Sequence, residues 1–286
     1  MNSQIAVVLV NYNGYRDTAE CIDSILKSSI NSAIVVVDSA SKENEAEKLR
    51  LAYPIIAVIQ SNVNLGFAGA SNIGIRFALN NGYEYVLLLN NDTVVGAKTI
   101  EELASIANEN IVSTALIYHY DEPSMIWYAG GSINRLTGRV RHFERVASKQ
   151  NQTFASGCCM MVRREVFRDV GILDESYFMY CEDTDFCIRL LQSGKEIKLN
   201  TNAVLWHKVG RSAGRASDLA IYYNIRNMLK CVASHRAYFY FPAYSFLLVI
   251  TTLKALRYKL SGKGNYKAVL LAFKDHFKKN YGHSRF

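Results

Sequence analysis

IAVVLVNYN (residues 5–13) and EYVLLLNNDT (residues 84–93) decide the fold. Each is an unbroken apolar run that stops abruptly at asparagine. A strand covered by helices on both faces has no solvent side, so its residues need not alternate apolar and polar. AIVVVD (33–38) and IIAVI (55–59) repeat the pattern. Between these runs, RDTAECIDSILKS (16–28), KENEAEKLRLA (42–52) and GASNIGIRFALN (69–80) carry helical spacing. The alternation predicts βαβ units in a doubly wound α/β sheet. Such sheets bind ligands beyond the C-terminal ends of their strands. Here those ends are Asn11-Tyr12-Asn13, Asp38-Ser39 and Asn90-Asn91-Asp92.

After about residue 110 the alternation weakens. Strand-like pieces at 111–118 and 154–162, and helical pieces near 163–170, 183–193 and 217–232, predict a mixed-sheet second half on the same core. No internal repeat is visible.

The 286 residues are 50% hydrophobic and 20% charged, which excludes a disordered or low-complexity chain. The net charge of +8 is unevenly placed: residues 254–286 hold nine Lys/Arg and one acid, Asp275, so residues 1–253 carry 24 bases and 24 acids. A neutral body argues against nucleic-acid binding. A basic tail is suited to an anionic surface. The N-terminus lacks the basic start and long apolar run of a signal peptide. The six cysteines show no CxxC pair and no zinc-like spacing, so reduced thiols in a cytoplasm are expected.

Four motifs carry chemistry. Asp38, at a strand end, is placed to accept hydrogen bonds from a nucleoside, or to cap the following helix. NVNLGFAGASN (62–72) has glycines that let a backbone approach phosphate or ribose, yet is neither a Walker loop nor GxGxxG. In LLLNNDT (87–93), Asp92 is a candidate ligand for Mg²⁺ or Mn²⁺, with Asn91 reaching the cation or the ribose; Asn-Asn-Asp is also turn chemistry. In YFMYCEDTDF (177–186), Glu182, Asp183 and Asp185 open a helix behind an aromatic lead-in, which suits a base in a partly dry site as well as simple capping. His207, after AVLW (203–206) and beside Gly210 and Ser212, is a candidate for metal or phosphate.

The order NYN, VVD, NxNLGFAGASN, LLNND, a Ser-Gly segment, EDxD and HxxGxS resembles the inverting glycosyltransferase family two, nearest its rhamnosyltransferase-like branch, over about residues 4–230. The resemblance implies a GT-A fold, a Rossmann-like mixed sheet flanked by helices, with a nucleotide-diphosphate sugar donor and a divalent cation. It implies that Tyr12, Asn13 and Asp38 hold the nucleoside, that Asn64, Gly66 and Asn72 line its pocket, that Asp92 and His207 hold the metal, and that Asp183, or alternatively Glu182, is the base. The metal motif departs from the family's DxD, since Asn90 stands at its first position. Trp127 and Gly130, then Ser156 and Gly157, fit a sugar or acceptor site, with Asp185 beside it, and Arg226 on the helical pattern Tyr222-Tyr223-Arg226-Asn227 is a candidate phosphate contact. The expected donor is dTDP-rhamnose, with a UDP-hexose as runner-up. The expected acceptor is a lipid-linked surface glycan.

Residues 1–230 are thus expected to form the transferase domain and 231–286 a helical appendage for membrane attachment or homo-oligomer formation. AYFYFPAYSFLLVITTL (237–253) is short for a span and contains Pro242, and basic amphipathic sequence follows. An element lying in the headgroup region, peripheral on the inner face of the cell membrane, is the expectation. A nucleotidyltransferase would want an early base for a triphosphate, where residues 1–25 offer only Arg16. A non-catalytic nucleotide-sugar sensor would have no use for Asp92 and Asp183, and a glycoside hydrolase no use for a nucleotide pocket.

Overall fold

The computed structural model describes residues 4–147, 151–209, 218–262 and 264–283. The first half is the expected alternation: β1 (Ile5–Asn11), α1 (Tyr15–Leu26), β2 (Ala33–Ser39), α2 (Glu45–Ala52), β3 (Ala57–Ser61), α3 (Gly66–Asn80) and β4 (Tyr85–Asn90). β2 and β4 pair in parallel with the two sides of β1, and β3 in parallel with β2. Val7, Leu9, Val35, Val36, Val86 and Leu87 have no exposed surface, as expected of strands covered on both faces. Each such side chain contributes about 1.5–3 kcal/mol of burial. β3 begins two residues later than IIAVI implies, because Ile55, just after Pro54, stays 79% exposed.

After β4 come β5 (Thr93–Val95), α4 (Thr99–Ile106), β6 (Ile111–His119), β7 (Ile126–Tyr128), β8 (Gly131–Ile133), β9 (Val140–His142), β10 (Cys159–Arg163), α5 (Arg164–Val170), α6 (Glu182–Gln192) and β11 (Glu196–His207). Among the described residues one sheet runs β3-β2-β1-β4-β10-β6-β11-β5, with β7 on β6, while β8 and β9 form a separate hairpin. β10 lies antiparallel between β4 and β6. The sheet is therefore mixed, and the architecture is a GT-A fold, a Rossmann-like half continued by a mixed half. The strand expected over 154–162 is shorter, and Phe154 instead bridges Gly131.

The chain ends in α7 (Asp218–Ser234), α8 (Pro242–Ser261) and α9 (Tyr266–Phe277). α7 runs unbroken through the expected 230/231 boundary. The last segment folds back onto it: Tyr222 Oη donates to Asp275 (2.7 Å), Arg226 Nη1 to the Gly282 carbonyl (2.9 Å), and Gly282 N–H to the Ser176 carbonyl (2.7 Å). α8 buries Ala243, Leu247, Thr251 and Ala255 at four-residue spacing. Its opposite face exposes Val249, Leu253, Leu256 and Leu260, again one stripe. Among the described residues no helix is long and apolar enough to cross a membrane. All six cysteines are free and buried.

Candidate active site

The ends of β1, β2 and β4 are stitched into one rim. Asn11 pairs in register with Asp38 and donates from Nδ2 to Asp38 Oδ2 at 2.7 Å and to Glu45 Oε2 at 2.9 Å. Asp38 Oδ1 accepts the Ser41 N–H at 3.0 Å, closing a local turn; it does not cap α2, whose N-cap is Asn44. Asn13, at φ +52°, accepts the Lys42 N–H at 2.8 Å. Asn91 donates to Thr18 Oγ1 at 2.7 Å. Tyr12 stands beside this frame, 49% exposed. Asn11, Thr18, Ser41 and Glu45 are not singled out by the sequence, although Asn11 lies in a quoted strand end; their hydrogen bonds fix the rim.

Asp92 meets His207 because the chain leaves β4 and rejoins the sheet as β5, against β11. The turn is closed by Thr93 Oγ1 donating to the Asn90 carbonyl (2.7 Å), and Thr93 then pairs in register with His207. Asp92 Oδ1 lies 3.1 Å from His207 Nε2, both side chains being under a tenth exposed. His207 Nδ1 has no hydrogen-bond partner among the described residues. Trp127 meets His207 in a T-shaped contact at 4.6 Å between ring centroids and His142 likewise at 5.1 Å. Lys208, whose N–H donates to the Asp92 carbonyl (2.9 Å), turns inward to Asp17 and Glu20, each 2.6 Å from Nζ. Lys208 was not anticipated. It anchors α1 to the strand that carries His207. Gly210 and Ser212 lie outside the described residues.

The Asp92–His207 spacing suits a cation. Neighbouring ligands of an octahedral ion with bonds of about 2.1 Å are separated by about 3 Å. The nearby Cys21 thiol is pushed up to about 12, first by burial, and the Cys158 thiol is raised by burial and then by the Asp92 charge. Protonated thiols leave one carboxylate and one imidazole as donors, a set that suits a hard ion completed by water and diphosphate oxygens. Among the described residues no three His, Cys, Asp or Glu side chains gather into a metal cluster.

Asp183 reaches the same end of the sheet by another route. The Asn90 N–H donates to the Cys158 carbonyl (2.9 Å), and the neighbouring Gly157 N–H donates to Asp183 Oδ2 (3.0 Å). Asp183 Oδ1 accepts the Thr184 N–H at 2.6 Å and the Thr184 hydroxyl at 3.2 Å. Asp92 and Asp183 thus flank the same end of the β4–β10 pair. Burial raises the Asp183 carboxyl, against these three donors. Glu182 is pushed up further by burial and then by Asp183, and its Oε2 is buried without a partner among the described residues. Two adjacent buried carboxyls do not both ionise readily. The donors favour the charge on Asp183 and leave the proton on Glu182.

Other expected residues have different surroundings. Asn72 clasps the Leu173 backbone (2.8 and 3.0 Å) and Glu175 (2.9 Å). α3 starts at Gly66, not Gly69, and its first N–H groups donate to Asn64 Oδ1 (2.9 Å) and the Phe178 carbonyl (3.2 Å). Gly66 has φ +68°, and a Cβ there would stand 2.3 Å from the Phe178 carbonyl. Gly130, at φ +93°, leaves room for the Gln152 amide, which holds the Gly131 N–H at 2.8 Å. Ser156 Oγ accepts the Cys158 N–H at 3.3 Å. Arg226 is fully buried between Tyr222 and Tyr223 and donates to protein oxygens.

Asp185 is tied to Arg189 Nε (2.8 Å) and His235 Nε2 (2.7 Å), which locks α6 to the end of α7. Burial alone would raise its carboxyl, but the His235 hydrogen bond and the Arg189 charge outweigh it and hold it below the ordinary range. A depressed folded-state value means this stabilisation is in place above about pH 4, the unfolded Asp value, and is lost on further acidification. Asp185→Ala is expected to cost about 3 kcal/mol in urea denaturation at pH 7, as for a broken buried pair. The folded fraction should keep its turnover; a loss of kcat at unchanged stability would instead assign Asp185 to the acceptor.

The glycosyl transferase family 2 model matches residues 6–171, and the chain belongs to that family. It is 30% identical over 203 residues to the low-salt glycan biosynthesis hexosyltransferase Agl10 of Haloferax volcanii, covering 66% of this chain and 62% of that protein. It is 28% identical to the dTDP-rhamnosyl transferase RfbF of Shigella flexneri, covering 79% of each chain. It is 26% identical to the N-acetylglucosaminyl-diphospho-decaprenol L-rhamnosyltransferase of Mycobacterium tuberculosis, covering 78% of this chain and 82% of that one. The fold matches GalNAc-T7 solved with UDP, GalNAc and Mn²⁺ (TM-score 0.65, 16% identity, 97% of this chain and 57% of that chain). It also matches the mannosyltransferase PcManGT of Pyrobaculum calidifontis with GDP-Man and Mn²⁺ (TM-score 0.60, 15% identity, 98% and 81%). The chain thus spans about three fifths of Agl10 and of GalNAc-T7.

Proposed function

We propose that this glycosyltransferase moves rhamnose, with inversion, from dTDP-rhamnose to a hydroxyl of a lipid-linked surface glycan, with a UDP-hexose as the alternative donor. One observation supports the reading most: Asp92 with His207, and Asp183 with its three donors, flank one end of the β4–β10 pair. The named relatives support the rhamnosyl and diphospho-lipid chemistry.

Asp92 and His207 would hold Mg²⁺ or Mn²⁺, which when bound neutralises charge on the leaving diphosphate. Tyr12, Asn13 and Asn91 border the rim where the nucleoside would lie, with Asp38 fixing the rim from beneath. Trp127, partly exposed beside His207, would pack against a sugar. The acceptor oxygen attacks the anomeric carbon as the bond from that carbon to the diphosphate oxygen breaks. Asp183 takes the acceptor proton on a carboxylate oxygen. The Gly157 and Thr184 donors hold that carboxylate in one orientation and favour its ionised form against burial. Residues 1–230 form the transferase unit in this reading and 231–286 its attachment.

The direct experiment incubates the protein and Mn²⁺ with dTDP-rhamnose or a UDP-hexose and a polyprenyl-diphospho-sugar. A product of one added sugar, with anomeric configuration opposite to the donor, is expected. Retained configuration, or no transfer from any nucleotide sugar, refutes the reading.

The exposed stripe on α8 and the basic tail together support peripheral attachment to an anionic membrane. Leu253→Asp with Leu256→Asp should weaken binding to phosphatidylglycerol vesicles by about tenfold or more. Unchanged vesicle binding, with loss of a dimer in solution, would assign the stripe to self-association.

A further inference from the structure

A cavity of about 480 Å³ lies between the β8–β9 hairpin and the turn joining α7 to α8. Its polar wall is Ser132, Arg135, Arg141, Asn151, Thr153 and Tyr238, and among the described residues no carboxylate lines it. Among the described residues neither arginine pairs with a carboxylate. The hairpin is basic in sequence: residues 135–145 hold Arg135, Arg139, Arg141 and Arg145 against Glu144 alone. Arg135 is held in place, its Nε donating to the Tyr238 carbonyl at 2.6 Å and its guanidinium over the rings of Tyr238 (5.1 Å) and Tyr240 (4.6 Å). Hydroxyls, an amide and two guanidinium groups without an acid suit a multiply charged anion.

The position narrows the anion further. On one side, Thr153 is tied to Ile133 (2.8 Å) and stands four residues before Gly157, which holds Asp183. Four residues of extended chain reach at most about 14 Å. On the other side, Tyr240 precedes Phe241, 95% exposed, at the start of α8 and its apolar stripe. The order is therefore base, arginine cavity, apolar exposed helix. A sugar joined through diphosphate to a lipid has its parts in the same order.

We infer that this cavity binds the diphosphate of a lipid-diphosphate-linked acceptor, with Arg141 and Arg135 as its anion contacts; the inference rests on the transferase reading above. Arg141 is exposed, so Arg141→Gln leaves the fold intact. The test titrates farnesyl diphosphate into the full chain in EDTA, which keeps the probe from a cation-dependent donor site. Arg141→Gln should weaken binding by about tenfold or more, as for loss of a charge-assisted contact, with Arg141→Lys intermediate. Nucleotide-sugar affinity in Mn²⁺ should stay at the wild-type value in both variants. Unchanged farnesyl diphosphate affinity overturns the inference. So does equal affinity for inorganic diphosphate, which would make a free anion the occupant, or equal loss of affinity for lipid-free nucleotide sugar. Arg141-dependent binding of farnesyl diphosphate by a protein that takes no nucleotide sugar would uphold the cavity and refute the transferase reading.

Discussion

Asp183→Asn is expected to lower sugar transfer by about 10³-fold, within the range that a positioned general base supplies, while donor affinity stays near wild type. The amide keeps the size of the carboxylate but cannot take a proton. Glu182→Gln should retain most of the turnover, because Glu182 is the partner that already holds a proton. The reverse result would move the base to Glu182. Burial raises the Asp183 carboxyl, so the acid limb of kcat/KM should lie above the ordinary aspartate range, with activity lost as pH falls and Asp183 protonates. An acid limb that does not move in Thr184→Val, where one donor to Asp183 is gone, would count against the assignment.

Asp92→Ala is expected to weaken nucleotide-diphosphate binding in Mn²⁺ by more than the roughly tenfold that loss of a supporting partner costs a metal site. Binding in EDTA should change little, since the variant removes the cation's contribution and not the nucleoside rim. Isothermal titration of both proteins in both buffers measures this. Equal loss with and without the cation would show that Asp92 supports the fold through His207 rather than the metal.

The parallel half of the sheet was legible because its strands are covered on both faces, so IAVVLV and VLLL announce themselves by composition. The rim residues at their ends followed from topology. β5, β7, β8 and β9 were not legible, since three residues each are too few to show a period. β11 is legible only over AVLW because its first half carries one buried residue, Ile197, among exposed and half-buried ones. Partnerships across long sequence separations were also hidden. Asn72 looked like a pocket residue in a glycine-rich motif, yet its amide is used by Leu173 and Glu175 about a hundred positions away. Asp185 looked like one of three equivalent acids until His235, 50 residues on, took it up. Arg226 lay on a helical pattern whose outward or inward face only the returning C-terminal segment decides. Asp92 and His207 were each legible as candidates, but their meeting required the β5–β11 register.

The most direct measurement is equilibrium binding of dTDP-rhamnose and a panel of UDP-hexoses to the wild-type protein, in Mn²⁺ and in EDTA. Saturable binding of one donor, at least about tenfold tighter with the cation, is the predicted result. Absence of binding by every nucleotide sugar, or affinity indifferent to the cation, would contradict a donor site built around Asp92 and His207.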